Sequence, residues 1–303
     1  MKKFLLVILI LSTDLHAMTL DVNFAKLLQV PKAVIGDKPS AGKRVVVTPE
    51  EYRGTEVYHT IYLPDNWQRA GEKLPIIFEY TGNYYPKSGS SGEVKDAALG
   101  YGLSAGKFIW VSLPYIDKNH RQNALNWWGD IEATVSYAKH HVPKIIEQFN
   151  GDPDNVFLCG FSRGAIGVNF VGLHDDEISS YWSGFITHDH FDGVRLWEKP
   201  WGAPLTKYRK EALQRLKRVG TRPYLVSQNG PNKETENYLR QTGISLNNFT
   251  FSYINTPQIL GPFPNQYAKS AHTDVWLNVA SPYRVRTWNW INQRVKATVL
   301  KLN

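Results

Sequence analysis

The sequence predicts an α/β protein built on one large, mostly parallel β-sheet with helices on both faces. Short apolar runs rich in β-branched and aromatic residues alternate along the chain with longer helix-like patterns. The chain has 303 residues, of which 42% are hydrophobic and 13% aromatic, which provides material for a buried core. Neither an internal repeat nor a low-complexity tract interrupts this order.

The N-terminus has the layout of a secretory signal peptide. Two lysines precede an apolar run that begins at Phe4, and a short polar segment then ends at Ala17. We therefore predict a signal peptide over residues 1–17 and a secreted or periplasmic protein with one domain over 18–303, whose N-terminal extension runs to about residue 42. No stretch reaches the roughly 18 apolar residues of a membrane span, so we expect no membrane association after cleavage. The alternative is an N-terminal membrane anchor that is never cleaved.

Eight apolar runs predict strands, and five amphipathic patterns predict helices. The strands are expected at 44–48, 57–63, 75–80, 108–113, 155–160, 184–187, 223–227 and 249–254. The helices are expected at 130–149, 164–173, 207–219, 234–241 and 285–300. Pro143 lies inside the first helix, where we expect a kink or a break.

A Gly-x-Ser-x-Gly pattern lies where a predicted strand turns into a helix. It runs from Gly160 through Ser162 to Gly164, between the apolar residues 156–159 and a helical pattern that starts at Ala165. Glycine is expected on both sides because the turn is too tight for side chains, and the serine hydroxyl is exposed at its tip. The adjacent helix N-terminus favours developing negative charge there. Ser162 is therefore the candidate nucleophile.

Together with the Gly-Asp-Pro-Asp-Asn run at residues 151–155, this turn resembles the α/β-hydrolase superfamily. The stretch is similar to exported esterases of the polyhydroxyalkanoate depolymerase-like, feruloyl esterase-like and other carbohydrate esterase groups. The resemblance extends in element order over residues 55–300, and the serine turn is its most specific part. It implies an α/β-hydrolase fold, no cofactor, and the chain order nucleophile, acid, histidine.

His272 follows the last predicted strand and precedes the final helix, where this fold places its general base. We expect it to take the proton of Ser162 and to return it to the leaving alcohol.

The acid of the triad has three candidates. The loop after the strand at 223–227 lacks the aspartate that many family members carry there. Glu234 is the first candidate and Glu236 the second, although Glu236 also fits the helix that follows. Asp192 is their rival, because some hydrolases of this fold take the acid from the loop after the preceding strand, here residues 188–193.

Two backbone N–H groups are expected to bind the oxyanion of the transition state. One is that of Arg163, and the other comes from the loop that contains Gly82 and Asn83, where glycine permits close approach. The Arg163 side chain either adds a cation beside the site or pairs with a carboxylate. Glucuronoyl esterases have a similar Ser-Arg pair, but the lysine that completes their motif is absent here.

Two further features bear on ligands. Trp127 and Trp128 either stack on sugar or aryl groups of a substrate or belong to the core. The groups around residues 140–141, 174–177 and 188–190 lack the spacing of known zinc sites, so we predict no metal. The second of them, His174 to Glu177, is either a site for a hard cation or a solvated helix end.

The formal net charge of +8 is compatible with an anionic polymer or cell surface as partner, and equally with no charged partner. No nucleic-acid-binding motif is present, and the single cysteine, Cys159, is expected to be a buried hydrophobic residue. The sequence therefore predicts an exported serine esterase for a carbohydrate- or polymer-linked ester. The alternatives are an inactive binding protein of the same fold and a peptidase of that fold.

Overall fold

The structure is a computed structural model that describes residues 27–197, 201–231 and 233–295. Its strands are, in chain order, β1 (Ala33–Val34), β2 (Arg44–Val47), β3 (His59–Tyr62), β4 (Leu74–Tyr80), β5 (Tyr84–Tyr85), β6 (Ser90–Ser91), β7 (Ile109–Leu113), β8 (Gly151–Phe161), β9 (Gly184–His188), β10 (Tyr224–Asn229) and β11 (Phe249–Ile254). Nine of them form one sheet in the order β1-β2-β3-β7-β4-β8-β9-β10-β11, and β5 and β6 form a separate hairpin. All pairs in the large sheet are parallel except those of β3, which is antiparallel to both of its neighbours.

Helices fill the connections between these strands. They are α1 (Leu99–Ser104), α2 (Ile131–Gln148), α3 (Arg163–Phe170), α4 (Asp176–Ser179), α5 (Leu205–Lys217), α6 (Glu234–Gln241), α7 (Thr256–Leu260) and α8 (Pro282–Asn292). Short 3₁₀ helices lie at Glu50–Tyr52, Val94–Asp96 and Val275–Asn278. None of the helices in the described ranges is long and apolar enough to span a membrane.

The core lies on both faces of the sheet. Every residue of β4 is buried, and its side chains alternate between the two layers. Ile76 and Phe78 belong to one hydrophobic cluster and Ile77 to the other. Strands buried on both faces require near-continuous apolar sequence, which is why the central strands were recognisable as unbroken runs.

All eight predicted strands are present, and a ninth, β1, pairs with β2 at the edge of the sheet. The five predicted helices are present as well, although residues 296–300 of the last one lie outside the described residues, as does the predicted signal peptide at 1–17. The helix containing Pro143 neither breaks nor restarts: α2 continues through this residue.

Candidate active site

The turn at the end of β8 presents Ser162 in a conformation that serine rarely adopts. Its φ of 57° and ψ of −120° lie outside the usual regions for an L-residue. Both glycines are required by contact: a Cβ on Gly160 would lie 2.1 Å from the Gly164 oxygen, and a Cβ on Gly164 would lie 1.8 Å from the Tyr80 oxygen. The tight turn is therefore imposed by the sequence pattern itself and places Ser162 directly before α3.

His272 meets Ser162 across the carboxyl edge of the sheet. Its Nε2 lies 2.9 Å from the Ser162 Oγ, within hydrogen-bonding distance. The loop that carries His272 is held in place by Thr256, whose Oγ1 donates to the Ala271 oxygen over 3.0 Å. The structure thus brings together the two side chains that the sequence predicts to be partners, although they lie 110 positions apart in the chain.

The carboxylate beside His272 is that of Asp189, the residue directly after β9. Its Oδ2 lies 2.7 Å from the His272 Nδ1, and its Oδ1 accepts from the Asn229 backbone N–H over 2.7 Å. Burial alone would raise the pKa of Asp189, but the neighbouring His188 and the hydrogen bonds from His272 and Asn229 lower it well below the usual value. Asp189 is therefore ionised in the neutral pH range and fixes the orientation of the imidazole.

None of the three carboxylates predicted from the sequence contacts His272, so the prediction of Glu234, Glu236 or Asp192 as its partner is wrong. Glu234 forms an ion pair with Arg195. Glu236 is bound by Arg240 and by the hydroxyl of Tyr253. Arg240 belongs to α6 and Tyr253 to β11, so both glutamates are engaged by partners other than the imidazole of His272.

Asp192 is also engaged elsewhere, because its fully buried carboxylate forms an ion pair with Arg215 of α5 over 2.8 Å. Asp189 was not among the predicted candidates, although it lies in the loop segment 188–193 that also contains Asp192. Its position distinguishes it only once the sheet is known, because it is the first residue after β9, which neighbours β8.

The loop after β4, predicted to bind the oxyanion, lies against the turn that carries Ser162. A Cβ on Gly82 would lie 3.3 Å from the Ser162 Cβ, so a larger residue would crowd the serine. The Asn83 side chain holds this loop to the next one, since its Oδ1 accepts from the Trp127 backbone N–H over 2.7 Å. The Arg163 N–H belongs to the first turn of α3, where N–H groups have no intrahelical partner.

The Arg163 side chain is neither an exposed cation beside the site nor the partner of a carboxylate. It is 1% exposed and donates to the Gly82 oxygen over 3.0 Å and to the Trp127 oxygen. Its guanidinium also lies 4.1 Å from the centre of the Tyr115 ring. The Arg163 side chain therefore joins the loop at Gly82 to the loop at Trp127 through hydrogen bonds to their backbone carbonyls.

Replacing Arg163 by methionine should lower kcat by about 10–100-fold with a smaller change in KM, because the loop at Gly82 loses its anchor and the oxyanion donor becomes imprecise. Steady-state kinetics on a p-nitrophenyl ester measure this. Arg209→Met is the matched control, since Arg209 also donates to backbone carbonyls, those of Gly193 and Val194. Equal losses in both variants would contradict a specific role for Arg163.

The two adjacent tryptophans have different environments. Trp128 is only 3% exposed and stacks on Phe170 at 4.8 Å, so the structure places it in the core rather than at the surface of the site. Trp127 is partly exposed and stacks on Trp201 with ring centres 4.9 Å apart. It also contacts Trp197 at 6.1 Å. Of the predicted pair, only Trp127 remains available for a ligand.

His190 connects this aromatic group to the candidate base. Its ring centre lies 4.4 Å from that of Trp197 and 5.1 Å from that of His272. Burial lowers the pKa of His190 to about 3, and the nearby His272 adds to this effect. His190 is therefore neutral near pH 7 and places no positive charge beside the imidazole of His272.

The same burial predicts a pH dependence of stability. The unfolded chain protonates this histidine below about pH 6.5, whereas the folded protein does so only near pH 3. Between these values the unfolded state binds more protons, so the free energy of unfolding falls as the pH falls. His190→Gln should make urea unfolding less sensitive to pH between 7.5 and 4.5 than it is in the wild type, within roughly the window set by these two pKa values. An unchanged pH dependence would contradict the burial argument.

An open cleft of about 380 Å³ begins at Gly82 and His272 and extends between two loops. Residues 88–93 form one wall and residues 265–269 the other. The walls carry serine hydroxyls, a tyrosine, carboxylates and a lysine. The cleft is therefore better suited to a ligand that forms hydrogen bonds than to an apolar one. The aromatic group around Trp127 does not line this cleft.

The cluster at His174 already contains a cation of the protein. The Lys139 ammonium lies 2.9 Å from carboxylate oxygens of both Asp175 and Glu177. This lysine occupies the position that a hard cation would take, which favours the helix-end interpretation of the segment. Cys159 is fully buried in the core, and burial raises the pKa of its thiol.

Comparison with known proteins supports the fold. No family model matches the sequence, and no curated protein sequence matches it. Among solved structures, the esterase Est22 in complex with p-nitrophenol aligns with a TM-score of 0.50 and 12% identity over 84% of this chain and 80% of its own. A ferulic acid esterase aligns with a TM-score of 0.48 and 12% identity over 83% of this chain and 96% of its own. The strand order, the serine turn and the likeness to Est22 together give the chain the α/β-hydrolase fold.

Proposed function

We propose that the protein is an exported serine hydrolase that cleaves carboxylic esters through a Ser162-His272-Asp189 triad and an acyl-enzyme. The observation that carries the proposal is the unbroken hydrogen-bond chain, with 2.9 Å from Ser162 Oγ to His272 Nε2 and 2.7 Å from His272 Nδ1 to Asp189 Oδ2. Nucleophile, base and orienting acid in this geometry constitute the arrangement used for acyl transfer. Export rests on the signal-like residues 1–17.

The reaction follows from these positions. Ser162 Oγ attacks the ester carbonyl carbon while His272 Nε2 accepts the hydroxyl proton, and Asp189 stabilises the imidazolium that forms. The carbonyl oxygen becomes an oxyanion that the N–H groups of Arg163 and of the Gly82 loop would bind. His272 then donates its proton to the leaving alcohol. Water, deprotonated by His272, attacks the acyl-enzyme, releases the acid and restores Ser162.

The shape of the site supports a polar, carbohydrate- or polymer-linked ester over a lipid. The cleft beside His272 is lined by hydrogen-bonding groups, which suit a polar substrate. The stacked tryptophans around Trp127, outside this cleft, would suit a flat ring of the substrate. The walls of the cleft include the carboxylates of Glu93 and Asp96 as well as the ammonium of Lys269, and this mixture of charges argues against a polyanion as the bound polymer despite the net charge. A higher kcat/KM for acetylated oligosaccharides than for long-chain fatty esters is the expected result, and the reverse order would refute this assignment.

Covalent labelling tests the proposed activity directly. A fluorophosphonate reacts only with an activated serine, so the full chain should be labelled at Ser162, and mass spectrometry of the peptide containing residues 160–164 locates the adduct. Prior treatment with the probe should abolish hydrolysis of p-nitrophenyl acetate. If the protein is neither labelled by the probe nor able to hydrolyse the ester, it is a binding protein of the same fold instead.

A further inference from the structure

Contrary to the prediction of no metal from the spacing at residues 140–141, we propose that Glu51, His140 and His141 form a binding site for a divalent transition metal, most simply Zn²⁺. Glu51 lies in the 3₁₀ turn between β2 and β3, and the two histidines are adjacent residues in the middle of α2. One ligand atom from each side chain lies within 4.8 Å of the others, with no other such group of His, Cys, Asp and Glu found in the described ranges. The site is separate from the active site and does not depend on the proposed hydrolase activity.

The two distances from the Glu51 carboxylate to the histidine nitrogens fit a tetrahedral metal. The Glu51 Oε1 lies 3.2 Å from the His140 Nε2 and 3.1 Å from the His141 Nε2. Ligand atoms bound at the usual 2.0–2.1 Å around a tetrahedral zinc ion are about 3.3 Å apart. Two imidazoles and one carboxylate form a ligand set that zinc accepts, with the fourth position open to water.

Hydrogen bonding within the cluster does not account for this arrangement. The Lys144 Nζ lies 2.6 Å from the His140 Nε2, and an ammonium group can only donate, so this nitrogen presents a lone pair. The same nitrogen then cannot donate to the Glu51 oxygen 3.2 Å away, and two lone-pair atoms face each other. A metal ion between them would resolve the conflict and bind all three side chains, with the Lys144 ammonium displaced from the His140 Nε2.

One of the ligands is fixed in advance by packing. The side chain of His141 is 9% exposed, and its ring centre lies 4.3 Å from that of Tyr137 and 6.1 Å from that of His59. The Tyr137 hydroxyl is in turn 2.8 Å from the His59 Nδ1. Glu51 and His140 are about half exposed, with side-chain exposures of 44% and 51%, so an ion has access to the cluster. Bound metal would tie the turn between β2 and β3 to helix α2.

The test measures binding of Zn²⁺ to the full chain, purified without a polyhistidine tag, by isothermal titration calorimetry and by thermal unfolding. We expect one ion per chain and a Tm that rises by about 5 °C at a free zinc concentration roughly 100 times Kd. Glu51→Gln and His140→Gln should each weaken binding by at least about tenfold. Both residues are partly exposed, and an unchanged Tm without metal confirms that each variant folds.

Two further variants separate the site from nonspecific binding. Lys144→Met should strengthen zinc binding, because the ammonium that competes for the His140 lone pair is gone. His174→Gln should leave it unchanged, since His174 belongs to the other histidine-carboxylate cluster of the same region, with its Nδ1 3.2 Å from Asp175. The absence of saturable binding, undiminished binding in Glu51→Gln or His140→Gln, or loss of binding in His174→Gln would each overturn the proposal.

Discussion

Ser162→Ala should lower kcat for p-nitrophenyl acetate by a factor on the order of 10⁶, because the proposed nucleophile is removed while the other groups remain. Alanine keeps the Cβ and therefore the same backbone strain at a φ of 57°, so the turn and α3 should be unchanged. Comparison of turnover with the Tm of the same preparation separates loss of chemistry from loss of folding.

Ser88→Ala provides a matched control for this variant. Ser88 lines the cleft beside His272, but its hydroxyl donates to the Tyr85 oxygen over 3.1 Å rather than facing the imidazole. Its removal should change kcat by less than about tenfold, as expected for loss of one peripheral hydrogen bond. Turnover that persists in Ser162→Ala at the wild-type level would show that hydrolysis occurs elsewhere or without a serine nucleophile.

Asp189→Asn should lower kcat by about 10⁴-fold, although its shape is almost unchanged. The carboxylate accepts from the His272 Nδ1 and so leaves the Nε2 lone pair directed at Ser162. An amide at this position can present its NH₂ group to Nδ1, which favours the tautomer with the proton on Nε2 and prevents that nitrogen from acting as a base.

Glu234→Gln is the comparison that decides between the two assignments of the acid. Glu234 is paired with Arg195 at a half-exposed position, so the substitution should leave kcat within a few-fold of wild type. A larger loss in Glu234→Gln than in Asp189→Asn would restore the assignment favoured by the sequence. Asp192→Asn should instead lower the Tm, because it leaves the Arg215 guanidinium without its buried partner.

The sequence alone could not decide which carboxylate is the partner of His272. Three carboxylates follow strand ends or helix starts in the sequence, and each satisfied the expected chain order. The register of the sheet separates them, since Phe161 of β8 pairs with His188 of β9, which makes Ser162 and Asp189 the next residues on adjacent strands. Only the residue directly after the strand lies beside the nucleophile; Asp192, three positions later, has turned toward α5.

The amino-acid sequence by itself determined the alternation of strands and helices and the serine turn, because these depend on neighbours a few positions apart. Apolar periodicity and the glycines around Ser162 specify them locally. The tertiary structure alone decided the acid, the burial of Trp128 and the meeting of Glu51 with His140. Each of these is a contact between segments distant in the chain, 83 positions apart for Asp189 and His272. Strand pairing and packing across the sheet bring such segments together, and no local pattern encodes them.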